Sequence, residues 1–174
     1  MPGVTVRRLI EADAADYRAI RLEALQRAPQ AFGSTYAAEA ARPVAAFAER
    51  LAGSVVFGAY DMAGIVGMAG LARSPGPKES HKGFLWGMYV RAEMRGQGVG
   101  ALLVEAVIAA AEATLEQITL SVVQENAAAR ALYERFGFTA YGVEPHALKT
   151  PDGYLDEVLM VKFLRPTGRP QGSS

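Results

Sequence analysis

The chain has no cysteine. A disulfide, a thiolate metal site and a cysteine nucleophile are therefore excluded. It has only two histidines, His81 and His146. That is too few for a His-rich metal centre or a histidine relay, and no metal is expected. It also lacks a charge excess, because 18 Lys plus Arg balance 18 Asp plus Glu. Nucleic acid or an anionic membrane as the main partner calls for a large basic surplus, so neither is expected. The longest apolar run, residues 101–113, is broken by Glu105 and Glu112. It falls short of the roughly 20 residues that span a membrane. Residues 1–10 hold Arg7 and Arg8 where a leader would carry its apolar region. A cytoplasmic location is the expectation.

What is present is ordinary for a globular protein. The 174 residues are 51% hydrophobic and 21% charged. That length makes one domain, able to bury about 70% of the surface of the unfolded chain. A single domain is expected over residues 1–164. The Pro/Gly/Ser-rich residues 165–174 are expected to form a disordered tail.

Periodicity predicts the order of elements. Residues 4–10 are rich in β-branched side chains and read as a strand. Residues 11–27 read as a helix, with Ala14, Tyr17, Ile20, Arg21, Ala24 and Leu25 on one face. Residues 29–42 read as a loop with a turn of helix, and Pro43 opens a helix over 44–51. Residues 54–60 and 65–73 form a hairpin around the turn 61–64, and 81–90 add a third strand. A helix over 98–113 carries Leu102, Leu103, Val107 and Ile108 on its buried side. A strand at 117–124 is apolar enough to be central. A helix at 126–136 follows, then strands at 137–143 and 154–163 joined by a loop over 145–153. The fold class is mixed α/β, β-α-α-β-β-β-α-β-α-β-β, with one βαβ unit flanked by antiparallel strands.

The most legible chemistry is Arg95-Gly96-Gln97-Gly98-Val99-Gly100, followed by Ala101, between a strand and a helix. Glycines let the backbone approach a ligand closely. The first N–H groups of a helix make an anion site, and a phosphate is the natural guest. No Lys follows Gly100, so this is not a P-loop. A dinucleotide fingerprint fits the letters, but five residues separate the strand from the first glycine. A plain tight turn is the remaining alternative.

Two motifs together resemble the GNAT N-acetyltransferase superfamily. Arg95, Gly98 and Gly100 meet Arg/Gln-x-x-Gly-x-Gly/Ala. Asn126, Ala129, Leu132, Tyr133, Gly137 and Phe138 meet the later Asn-x-x-Ala-x-x-Leu-Tyr-x-x-x-Gly-Phe. The usual proline two places after the strand valine is Ala92 here. The resemblance spans residues 4–163 and implies the GNAT-like acyl-CoA N-acyltransferase fold. It implies acetyl-CoA as co-substrate and an amine, small-molecule or peptide, as acceptor, with direct transfer in a ternary complex. N–H groups from Gly96 to Ala101 would hold the pyrophosphate, with Arg95 adding charge. Met88, Tyr89 and Val90 would bond the pantetheine arm as a false strand. An N–H near Tyr89 or Val90 would polarise the thioester carbonyl.

Asn126 reads equally as a pantetheine contact and as a helix cap. Tyr133 reads alone as a core aromatic; within the motif its implied role is to stabilise the leaving thiolate. With pKa values of about 10 for Tyr and about 8.5 for a thiol, full proton transfer is uphill by roughly 2 kcal/mol. A hydrogen bond is the better description. The acceptor must also be neutral, which for an amine of pKa about 10.4 costs roughly 4.6 kcal/mol at pH 7. A carboxylate base would help. Glu39, Glu144, Asp156 and Glu157 are candidates, each also readable as a surface carboxylate. Glu144 is favoured because it begins the loop after a strand. Phe32, Tyr36 and Tyr141 are expected to line the acceptor pocket. Trp86 and Tyr89 read first as core, packed with Phe84 on one strand face. His81 reads as structural. A homodimer through the last strands is a further expectation. Two rival readings are a non-catalytic acyl-CoA-binding module and an acyltransferase with another donor or a hydroxyl acceptor.

Overall fold

A computed structural model describes residues 3–164. The expected tail at 165–174 lies outside the described residues. Seven strands form one sheet in the order β1-β2-β3-β4-β5-β7-β6. They are β1 Thr5–Arg8, β2 Val55–Asp61, β3 Gly64–Arg73, β4 Lys82–Val90, β5 Gln117–Val123, β6 Thr139–Thr150 and β7 Gly153–Phe163. The helices are α1 Ala14–Arg27, α2 Tyr36–Ala40, α3 Val44–Gly53, α4 Val99–Glu112 and α5 Ala127–Arg135. The β4–β5 pair is parallel and every other pair is antiparallel. The predicted mixed sheet is therefore present, and the predicted element order with one addition: the turn of helix expected within 29–42 is α2.

Two apolar cores flank the sheet. On one side, Leu103, Val104 and Val107 of α4, Tyr133 of α5 and Phe138 just after it pack against Ile118, Leu120 and Met160. On the other, α1 and α3 pack Tyr17, Ile20, Phe47 and Leu51 against Val56, Met68 and Tyr89. The six α1 positions expected to face inward are its six buried residues, Arg21 included. Leu102 departs from expectation and lies exposed on α4. Val104 takes the inward position, because the buried arc follows 99, 103, 104, 107 and 111.

The expected loop at 145–153 is instead mostly strand. β6 runs to Thr150, and the turn is confined to the residues before Gly153. Pro145 stands in this stretch and has no N–H to give to a ladder. On the edge strand of the sheet, however, one side of the backbone has no ladder to complete, so Pro is tolerated. The register shifts between Glu144 and Leu148, and His146 takes a φ of 52° there. Its N–H donates to Asp156 Oδ1 at 2.8 Å, and its ring stacks on Tyr154 at 4.4 Å. Phe84 is likewise exposed rather than core.

β4 carries a bulge opposite Met68 and Gly70, with Gly87 at φ 67°. The inserted residue brings Trp86 and Tyr89, three apart, to the same core. Trp86 lies directly across from Gly70, and a Cβ at Gly70 would collide with the indole Cε2. Gly70→Ala should therefore destabilise the fold by about 1–3 kcal/mol. Gly53→Ala, where a Cβ meets open space, should be neutral or slightly stabilising. Urea midpoints of the two variants check this, and equal midpoints would refute the packing assigned to Trp86.

Candidate active site

The parallel pairing of β4 with β5 covers only Lys82–Gln117, Gly83–Ile118 and Phe84–Thr119. Beyond it β5 keeps its partner β7 through Val123, while β4 stays with β3 up to Val90. The two strands part there, and β4 residues 88–90 have no ladder partner on the β5 side. A groove of about 740 Å³ opens at this divergence. Met88, Tyr89 and Val90 line one wall, and the turn into α4 lines the floor with Gly96, Gly98, Val99, Gly100 and Ala101. Asn126, Ala129 and Leu132 of α5 and its N-terminal turn line the far wall.

The glycine turn has the local geometry its sequence requires. Gly96 has φ 75° and Gly98 φ 83°, values that L side chains rarely adopt. Gly98 is the N-cap of α4, and no side chain caps the helix. The N–H groups of its first turn, unpaired within the helix, are thus open to water or a ligand. Gly100 is needed for a different reason: a Cβ there would stand 3.1 Å from Leu132 Cδ2. Its absence lets α5 approach α4.

Arg95 Nε donates to the Val90 carbonyl at 3.2 Å, which holds the guanidinium beside the end of β4. Arg135 and Glu125 also line the groove. Gln97 does not; its amide donates to the Glu93 carbonyl at 3.0 Å. Asn126 Oδ1 accepts from Ala129 N at 3.2 Å, so the capping reading holds, while the residue still lines the groove. The Tyr89 hydroxyl donates to Glu23 Oε2 at 3.0 Å. Burial, and then this bond to Glu23, raise the Tyr89 pKa. Glu23 also pairs with Arg91 at 3.1 Å, tying α1 to the end of β4.

Tyr133 lies beside the groove rather than among its lining residues. It is 5% exposed and packs edge-on against Phe138 at 5.8 Å. Burial pushes its phenol above the ordinary value. Among the described residues, the sealed-in polar atoms without a partner are Arg18 Nε and Arg130 Nε. The Tyr133 hydroxyl is not one of them.

The acceptor-side expectations divide. Phe32 lines the groove together with Ala28, Gln30 and Ala31. Tyr36 and Tyr141 are exposed and do not line it. Glu144 lies within β6, not at a loop start, directly across from Glu157 of β7. Glu157 is half-buried, and its carboxyl is held above the ordinary range by burial and by the Glu144 charge.

Sequence reasoning left Glu39 among several surface candidates. It is 3% exposed and binds Arg21 Nη2 and Arg50 Nη1, each at 2.9 Å. Burial alone would raise its pKa, but hydrogen bonds from Arg21, Ser34 and Arg50 outweigh it and hold the carboxyl at about 2. The signal available in the sequence was Arg21 on the inward arc of α1, since a buried Arg needs a carboxylate. Phe32 is central too, with the Arg21 guanidinium 5.1 Å above its ring.

Comparison with known proteins agrees with this geometry. The model of the Acetyltransferase (GNAT) family matches residues 13–138. The chain belongs to the GNAT acetyltransferase family. Among solved structures, a GNAT-family acetyltransferase from Streptococcus pneumoniae is similar at 22% identity and TM-score 0.82, covering 93% of this chain and 99% of that one. A ribosomal-protein-alanine N-acetyltransferase from Brucella melitensis is similar at 25% identity and TM-score 0.80, covering 92% and 99%. The protein yncA from Salmonella typhimurium, solved with its cofactor acetyl-CoA, is similar at 20% identity and TM-score 0.79, covering 98% and 99%. Among the described residues no His, Cys, Asp and Glu cluster has metal-binding geometry. No described helix is long and apolar enough to cross a membrane.

Glu39 has a pH signature. A carboxyl lowered from 4.5 to about 2 contributes stability that is fully present above pH 4.5 and is lost as pH falls towards 2. The contribution is on the order of 3 kcal/mol. Glu39→Gln should therefore be markedly less stable than the parent at pH 7, and the gap should narrow between pH 4.5 and 2. Denaturant unfolding across that range measures it; a gap independent of pH would remove the ion cluster from the account.

Proposed function

We propose that this chain is an acetyl-CoA-dependent N-acetyltransferase that transfers the acetyl group directly to a primary amine. The observation that carries this reading is the groove at the parting of β4 and β5, which ends on the uncapped glycine start of α4. An anionic cofactor with a long, flexible, amide-containing arm fits that combination. Acetyl-CoA, when bound, supplies an activated thioester. The N–H groups of Gly96 to Ala101 hold its phosphates, with Arg95 as the local cation. The open edge at Met88 to Val90 supplies backbone bonds to the arm, and one N–H at Tyr89 or Val90 polarises the carbonyl. Asn126 contacts the arm while capping α5.

Tyr133 stabilises the leaving sulfur by donating a hydrogen bond. Its raised pKa makes full proton transfer harder still, so the phenol stays neutral. The amine proton passes by way of water to the Glu144–Glu157 pair, which lies outside the groove lining; burial, and then the Glu144 charge, raise the Glu157 carboxyl and make it a better base than an ordinary Glu. A cytoplasmic setting belongs to the same reading.

One observation favours a second reading. Tyr133 is nearly buried and outside the groove lining, as suits a chain that binds acyl-CoA without turning it over. Incubation with acetyl-CoA and an amine library, following free CoA and acetylated product together, separates the two. Product in step with CoA supports the transferase; tight CoA binding without product supports the binding module.

Two variants test the residue roles. Tyr133→Phe should lower kcat by about 10²-fold with little change in acetyl-CoA affinity; an unchanged kcat at saturation would end its assignment. Glu144→Gln removes the like charge that raises Glu157. The acid limb of the kcat/KM profile, where activity falls as the base is protonated, should move to lower pH. A limb that stays in place would take the carboxylate pair out of the reaction.

A further inference from the structure

The ion cluster between α1, α2 and α3 holds more positive than negative charge. Glu39 supplies one carboxylate to two guanidiniums, Arg21 and Arg50. Arg21 is 7% exposed. Its Nε and Nη2 edge is used by Glu39, at 3.2 and 2.9 Å. Its other end is not: among the described residues the hydrogen bonds of Arg21 come from Nε and Nη2 alone, and Nη1 is not among the sealed-in atoms that lack a partner. Phe32 and Trp86 lie 5.1 and 5.9 Å from the guanidinium. Aromatic faces attract the cation but accept nothing from its in-plane N–H groups.

The free end lies beside Gly87 of β4, next to the groove wall, and Arg21 is not itself a lining residue of the groove. Nη1 is 3.4 Å from where a Cβ of Gly87 would stand, and Gly87 is the bulge residue immediately before Met88 of the groove wall. Phe32 belongs both to the groove lining and to the Arg21 contact. Side-chain alternation along β4, β5, β7 and β6 puts Phe84 and Trp86, Thr119 and Val123, Glu157 and Glu144 on one face of the sheet. That face, on the α1 side, has a cation with an unused fork at one place and a carboxylate pair at another.

We infer that Arg21 is a specificity-determining residue, and that the acceptor is a small amine that also carries a carboxylate, which the free end of Arg21 holds. The inference rests on the acetyl-transfer reading above and narrows its acceptor. A planar carboxylate matches the guanidinium fork and offsets the uncompensated charge of a nearly buried cluster. The acidic pair disfavours a more highly charged anion and favours the amine end of the same molecule.

The test compares matched pairs: α-, β- and γ-amino carboxylates and the corresponding amino amides, each with acetyl-CoA and the full chain. The acids should be preferred in kcat/KM by about tenfold or more, mainly through KM. Arg21→Lys, which keeps the charge and loses the fork, should lose most of the preference while acetyl-CoA affinity, measured by calorimetry, is unchanged. A second arm needs neither turnover nor a variant: calorimetric binding of N-acetyl amino acids and of their amides, with the acids about tenfold tighter. Equal use or equal binding of acids and amides by the parent chain overturns the inference, as does a preference that survives in folded Arg21→Lys. Amides acetylated as well as acids would leave the transferase reading standing. Absence of any acetylated product, with acid-selective binding intact, would instead remove the transferase reading and keep Arg21 as the carboxylate anchor.

Discussion

Everything about the groove depends on one interruption in backbone pairing. β4 and β5 are neighbours for three residues and then part, while each keeps the partner on its far side. β5 is held by β7 over its whole length, and β4 by β3 through a bulge. A parallel pair that opens in this way leaves unpaired N–H and C=O groups inside a folded sheet, which is costly unless a ligand or water completes them. The turn at Gly96 and Gly98 lies at the mouth of that opening, and the uncapped start of α4 continues it. Polar backbone therefore runs along the wall and floor of one groove.

The opposite face is organised by charge. Arg21 faces inward on an otherwise apolar arc of α1, and Glu39 on a helix of five residues reaches it. Without Glu39 both guanidiniums would be left with little to bind, and without them the carboxylate would lie buried and unpaired. The cluster thus couples the short α2 to α1 and α3. Glu23 does the same between α1 and the end of β4 through Tyr89 and Arg91. The helical layer is pinned to the strand that forms the groove wall.

Much of this was legible in the sequence where a local rule had one reading. The α1 face, the hairpin of β2 and β3, the glycine turn and the Asn126 cap follow from periodicity or from a φ that only glycine adopts easily. The departures share a cause: they depend on neighbours distant in the chain. Pro145 reads as a break until β6 is known to be an edge. Leu102 fits the helical stripe, but the apolar arc of α4 is wider than the sheet it meets. Glu144 reads as the start of a loop, whereas it stands within β6 across the ladder from Glu157, on whose carboxyl its charge acts. Trp86 and Tyr89 share a face only because Gly87 inserts a residue. Glu39 looked like a surface acid because nothing near it in sequence announces two arginines.

The groove floor is made of main chain, and every amino acid except proline carries the same amide there. Drift in sequence leaves such a surface chemically constant, provided Gly96 and Gly98 persist. The α1 side of the sheet is made of side chains, Arg21, Phe32, Trp86 and Glu157 among them, and each replacement there rewrites the surface. A fold divided in this way can change what it accepts on one side while keeping what it holds on the other.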